Sequence, residues 1–280
     1  MTTRALVLGG GGVAGIAWEI GLLAGLAEQG IDVRDADLVV GTSAGSIVGT
    51  LLRGGDDLPG LYGRQLEPAT AERRVDFDGL AMMTAIGQAL EGVNGEEEAR
   101  ARVGALALRA ATVPETERRA VIETRIGDPA WPARRLVVTA VDTADGSFHA
   151  FDADSGVALL DAVTASCAVP TVWPPITIGG RRYMDGGMCS ATNADLAAGC
   201  DRVLVVAPFP AAPGSPLGPG LDDEVARLRD GADVHVVLAD DTALRAFGTN
   251  PLDPATREPS ARAGHAQASA VADAVRTFWG

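Results

Sequence analysis

Over the first 55 residues, short apolar runs alternate with stretches of helical apolar spacing. Ala5-Leu-Val-Leu8 is continuous and ends in glycine, as a strand buried on both faces does. Ile16, Ile20, Leu23 and Ala27 then recur at helical spacing until Gly30 stops the pattern. Leu38-Val-Val40 repeats the strand signal, and Ile47, Val48, Leu51 and Leu52 line a following helix that ends near Gly54-Gly55. Two strand–helix units in succession predict a parallel sheet with helices packed on it. From about 61 to 130 the chain turns rich in Ala, Glu and Arg. Val103, Leu106 and Ala110 fall at helical spacing there, and no strand stands out. This predicts a helical insertion, read either as a cap over a site or as helices covering one sheet face.

The α/β pattern resumes at Arg135-Leu-Val-Val-Thr-Ala-Val141, and Ser147 to Phe151 alternates as a hairpin partner does. Val157 to Cys167 reads as a helix. Ile176–Ile178 and Arg182–Met184 flank Gly179-Gly180, a hairpin signature. Val203–Val206 and Val234–Leu238 are further strands, separated in part by a five-proline loop from Pro208 to Gly220. Ala268, Val271, Val275 and Phe278 make an amphipathic closing helix. The pieces predict one α/β domain over residues 1–280.

Composition narrows the function. With 280 residues, 47% of them hydrophobic, the chain has enough apolar material for a core without staples. Its net charge of −14 argues against phosphate-backbone partners, so no nucleic acid is expected. Three scattered cysteines, Cys167, Cys189 and Cys200, fit neither a disulfide framework nor a zinc site. They suit a reducing, cytoplasmic compartment. The first apolar run breaks at Gly9, short of the about 7–15 residues that a signal peptide needs. The stretch from Ile16 to Ala27 carries Glu19 and is too short to span a bilayer. No acidic cluster sits beside histidines at ligand spacing, so neither a metal nor a cofactor is expected.

Gly41-Thr-Ser43-Ala-Gly45 lies between a strand and a helix, the context of a G-x-S-x-G nucleophile elbow. A sharp strand-to-helix turn lifts the serine above the sheet, and flanking glycines remove colliding side chains. Gly41 and Gly45 are those glycines. The plain alternative is a glycine-rich helix start with Ser43 as its cap. Gly9-Gly10-Gly11-Gly12 joins the first strand to the first helix, where successive N–H groups of Gly10, Gly11 and Gly12 can hold an oxyanion. Gly10-x-Gly12-x-x-Gly15 also fits a dinucleotide fingerprint. That reading needs an acidic residue at the end of the second strand, and Asp35 and Asp37 precede it instead.

A serine nucleophile needs a base. The order Ser43, Asp185, His265 fits a histidine triad, but His265 lies in an Ala-rich helical stretch. His149 and His235 sit within strand-like segments. Without a histidine, the base is a carboxylate, and Asp185 of Asp185-Gly186-Gly187, at a strand end, is the best placed.

Together these residues resemble the patatin-like phospholipase family, which shows a glycine-rich oxyanion loop, a G-x-S-x-G elbow and a later Asp-Gly-Gly/Ala. Gly10-Gly11-Gly12 with Gly15, Gly41–Gly45 and Asp185–Gly187 match the three in order. Ala165-Ser-Cys-Ala-Val-Pro170 with Trp173-Pro-Pro175 looks like the loop the family places before its aspartate. The resemblance spans residues 4–55 and about 135–208. It implies a three-layer α/β/α sandwich with a mainly parallel central sheet and a helical insertion at about 61–130. It also implies a Ser43–Asp185 dyad, an acyl-enzyme intermediate, lipid acyl esters as substrates and at most transient peripheral membrane contact. Two departures stand out. Gly9 replaces a frequent Asp, and Ala14 replaces the Arg or Lys that usually precedes the last loop glycine. Arg181 and Arg182 are the candidates to supply that cation. A histidine-triad esterase and a catalytically weakened lipid-binding member of the fold remain the alternatives.

Overall fold

The computed structural model describes residues 2–68, 79–210 and 215–280. Its centre is a sheet of eight strands: β1 (Arg4–Leu8), β2 (Leu38–Gly41), β3 (Arg135–Asp142), β4 (Phe148–Phe151), β5 (Ile176–Ile178), β6 (Arg181–Asp185), β7 (Arg202–Ala207) and β8 (Asp233–Leu238). The order is β5-β6-β3-β2-β1-β7-β8, with β4 also paired to β3. The five strands from β3 to β8 along this order are mutually parallel. β4 and β6 run antiparallel to β3, and β5 antiparallel to β6.

The central strands are buried on both faces, which is why they read as continuous apolar runs. Alternate residues serve different layers. Leu6, Leu8, Val39 and Val138 enter one core, whereas Ala5, Val7, Val40 and Val137 enter another. The first core is closed by α1 (Gly12–Glu28), α2 (Ala44–Gly54), α3 (Leu58–Leu66), α7 (Leu159–Ser166) and α10 (Arg257–Trp279). The second is closed by the short helix α8 (Leu221–Leu228). This is the three-layer α/β/α arrangement. α9 (Asp241–Phe247) adds Phe247 to the first core.

Helix α1 is buried from Val13 to Leu26 because α10 covers the side that the sheet does not. The two helices approach so closely that a Cβ on Gly21 would lie 2.1 Å from the Ala261 carbonyl oxygen. The closing helix therefore begins at Arg257, eleven residues before the apolar stripe that announced it. Its first half is Ala- and Gly-rich for close packing and carries little periodic signal.

The segment from about 61 to 130 contains α4 (Gly79–Ala89), α5 (Glu96–Arg109) and α6 (Glu115–Ile126) and no strand among the described residues. Residues 69–78 of that segment, and 211–214 of the proline-rich loop, lie outside the described residues. Ile86 and Val103 pack on Val141 and Met184 at the β3–β6 edge, and Ile122 joins the first core. No helix among the described residues is long and apolar enough to cross a membrane.

Candidate active site

β1 and β2 are neighbours in register, Leu8 beside Gly41, so the loops that follow them are neighbours too. The Gly45 N–H donates to the Gly9 carbonyl at 3.0 Å and ties the two loops together. Ser43 stands between β2 and α2 with φ 51° and ψ −112°. A non-glycine residue there is strained, and the surrounding bonds have to hold it. A Cβ on Gly45 would lie 2.1 Å from the Leu8 carbonyl oxygen, and one on Gly41 2.6 Å from the Gly45 carbonyl oxygen. The turn closes only with glycine at both places. Ser43 is no side-chain cap of α2, because its hydroxyl makes no capping bond.

Asp185 ends β6 opposite Ala140 of β3, at the same end of the sheet. It is 2% exposed. Its Oδ1 accepts from the Gly187 N–H at 2.8 Å. Its Oδ2 is buried with no well-formed hydrogen bond. Burial pushes the carboxyl up to about 6, while the Gly187 N–H, the Ser43 hydroxyl and, least, the Arg118 guanidinium pull it down. The Ser43 hydroxyl is thus near enough to act on the carboxylate without a bond of good geometry to Oδ2. A carboxylate poised near neutrality and facing a hydroxyl has the acidity of a general base.

Three consecutive residues at the end of α7 brace this pair. The Ser43 N–H donates to Ser166 Oγ at 2.9 Å. The Cys167 thiol donates to the Ser43 carbonyl at 3.3 Å. The Asp185 N–H donates to the Ala168 carbonyl at 3.0 Å. Burial raises the Cys167 thiol to about 11, so it stays protonated and serves as a donor. On the other side, Asn193 Nδ2 lies 2.9 Å from Thr42 Oγ1, 3.3 Å from the Gly186 carbonyl and 2.8 Å from the Ser190 carbonyl. One amide thus joins the residue before Ser43 to the residue after Asp185.

The glycine loop divides its amides. The Gly9 N–H donates to Val206 and the Gly10 N–H to Ala191, at 3.0 and 2.8 Å. The expected set of Gly10, Gly11 and Gly12 is therefore reduced: Gly10 is held in the scaffold by its bond to Ala191. Gly11, Gly12 and Ala44 donate to no acceptor among the described residues. Gly12, at φ 63°, opens α1 and Ala44 opens α2. The positive ends of two helices meet there.

Gly12, Ser43 and Ala44 line one cavity of about 700 Å³. Its walls are mostly apolar, with Ile16, Ile47, Val121 and Val172 among them, and Ala81 and Met82 of α4 contribute from the insertion. Arg118 of α6 also lines it, 4% exposed. Its guanidinium sits 4.0 Å from the centre of the Trp173 ring, and its Nη2 donates to the Cys167 carbonyl at 3.3 Å.

The cation expected from Arg181 or Arg182 does not come from them. Arg181 is engaged by Asp142 and Asp145, and Arg182 by the Pro175 carbonyl and Glu115. Neither lines the cavity, because both lie on β6 upstream of Asp185 and their partners draw them to the sheet edge. Arg118 was not anticipated. Its only sequence signal is an arginine four residues before Ile122, on the buried stripe of α6. No histidine lines the cavity either. His265 stacks on Tyr62 beside Glu28, His149 lies against Phe151 and Tyr183, and His235 lies by Phe278.

A sequence model of a family described as patatin-like phospholipase matches residues 6–198, a span that holds the glycine loop, the elbow and Asp185. Among solved structures, VipD from Legionella pneumophila is 13% identical, with a TM-score of 0.46 over 98% of this chain and 67% of that one. The type III effector ExoU of Pseudomonas aeruginosa is 17% identical, with a TM-score of 0.38 over 96% of this chain and 53% of that one. Human GIVD cytosolic phospholipase A2, in complex with methyl gamma-linolenyl fluorophosphonate, is 12% identical, with a TM-score of 0.40 over 99% and 59%. The chain spans between 53% and 67% of the length of these structures. No curated protein matches the sequence.

Proposed function

The chain belongs to the patatin-like phospholipase family, and from that premise we propose that it is a serine acyl hydrolase of lipid esters working through a Ser43–Asp185 dyad. Ser43 Oγ attacks the acyl carbonyl while Asp185 takes its proton. The free N–H groups of Gly11, Gly12 and Ala44 hold the oxyanion at the positive ends of α1 and α2. Asp185 then returns the proton to the leaving alcohol, and water hydrolyses the acyl-enzyme by the same path in reverse. The observation that carries this reading is the elbow. Ser43 is held at positive φ on the wall of a mostly apolar cavity that no histidine lines, and its hydroxyl lies close enough to the buried Asp185 carboxyl to pull its pKa down. The cavity suits an acyl chain, and α4 and α6 act as a cap lining it within a single domain of residues 1–280. The three cysteines are unpaired, which favours a cytoplasmic setting.

The test is intact-mass detection of fluorophosphonate labelling and esterase turnover on wild type, Ser43→Ala, Asp185→Asn and His265→Ala. Labelling and turnover that need Ser43 and Asp185 but not His265 support the dyad. Loss in His265→Ala with the fold intact moves the reading to a histidine triad. A folded wild type that neither labels nor hydrolyses an acyl ester moves it to a lipid-binding member of the fold that has lost the chemistry.

A further inference from the structure

Residues 166, 167 and 168 each hold one backbone group of the pair: the Ser43 N–H, the Ser43 carbonyl and the Asp185 N–H. The relative placement of nucleophile and base is therefore set by one short segment. That segment runs on into Val169–Trp173, which has no regular structure and includes Thr171 at φ 67°. Inside it the Val172 and Trp173 N–H groups both donate to the Val169 carbonyl, at 3.1 and 2.9 Å, which closes a local turn. Arg118 reaches this segment from α6. Its head donates to the Cys167 carbonyl and lies over the Trp173 ring, so it touches the segment at both ends. A planar guanidinium can stack and donate at once, and lysine cannot match that geometry.

Resting on the dyad reading above, we propose that Arg118 of α6 is the positioning residue of the Ser43–Asp185 pair, clamping the 167–173 segment so that both groups keep their mutual geometry. Its charge acts in the same direction. Among the described residues, the Gly187 N–H, the Ser43 hydroxyl, the Cys167 thiol and Arg118 act on the Asp185 carboxyl. Arg118 is the one permanent cation among them, and it favours the carboxylate form that accepts the serine proton. The insertion then contributes to the reacting groups themselves as well as to the cavity wall.

Two readouts that need no turnover test this. The first is hydrogen exchange of the Ser43 and Asp185 amides. The second is the titration midpoint of the Asp185 carboxyl, followed by carbon NMR and assigned with Asp185→Asn. In Arg118→Met, both amides should exchange at least about ten-fold faster while amides of β1 and α1 are unchanged, and the carboxyl midpoint should move up. Arg118→Lys should leave the midpoint near wild type but still speed amide exchange, because the charge survives and the planar, multi-donor head does not. It also serves as the informative variant if Arg118→Met fails to fold. Where the wild type turns over an ester, kcat should fall about ten-fold in Arg118→Met with KM within about three-fold, the signature of lost geometry rather than lost binding. A folded Arg118→Met with unchanged exchange at both amides overturns the proposal. A wild type that hydrolyses nothing, with the amide and carboxyl shifts present, overturns the hydrolase reading and leaves the positioning role standing.

Discussion

Asp185→Asn should abolish turnover and at the same time stabilise the protein, by an amount that depends on pH in a calculable way. The carboxyl moves from an ordinary value of 3.8 to about 6 on folding, with burial as the leading cause. The folded state thus prefers the neutral form. The stability that preference contributes is fully present below pH 3.8 and is lost as pH rises through about 6. The whole effect is roughly 3 kcal/mol, from a shift of about 2 units at about 1.4 kcal/mol each. Asparagine keeps the shape and can still accept from the Gly187 N–H, but it carries no charge at any pH. The stability gap between Asp185→Asn and wild type should therefore widen by about 2 kcal/mol between pH 4.5 and pH 8, where part of the transition is already complete at the lower pH. Glu19 and Glu224 are also buried carboxyls with raised values, but they are common to both proteins and cancel. The assay is urea unfolding of both proteins at several pH values, read as the difference between them. A constant gap across that range, or a variant less stable than wild type at pH 8, refutes the claim that Asp185 is held charged against burial.

Ser43→Gly should be more stable than Ser43→Ala by about 1 kcal/mol, since only glycine relieves the positive φ; equal melting temperatures for the two inactive variants would contradict the strain at the elbow. Asn193→Ala should lower stability by about 2 kcal/mol, because it strands buried partners of a satisfied amide, and should lower kcat more than it raises KM; chemical denaturation and steady-state kinetics read the two parts separately, and an unchanged kcat would deny Asn193 any hold on the pair.

The parts of this molecule that were legible in the sequence are those fixed by neighbours in the chain. The strands β1, β2, β3 and β7 are buried on both faces and announce themselves as apolar runs. The elbow is legible because its glycines answer collisions with residues nearby, Gly41 against Gly45 and Gly45 against the end of β1. Long-range contacts were not legible. Nothing local to Gly10 says that the Ala191 carbonyl, 181 residues on, takes its N–H. Nothing local to Arg118 separates it from Arg119, which lies next to it and pairs with Asp161 on the outside of α6. The short helices α8 and α9 gave too few apolar repeats to stand out, and the first half of α10 hid its packing in alanine and glycine.

Several of the places where local rules fail lie together at one end of the sheet. Three non-glycine residues among those described have positive φ: Ser43, Thr171 and Asn193. The first is the elbow, the second lines the cavity, and the third ties Thr42 to Gly186. Asp185 adds a buried carboxylate with one oxygen unsatisfied, and Arg118 adds a buried cation. Each is unfavourable alone. They lie where β1 and β2 end and where two helix N-termini leave amides open, and the proposed chemistry would account for the local stability given up there. The sheet and the α1–α10 pair, apolar and closely packed, supply the stability that lets such an end persist.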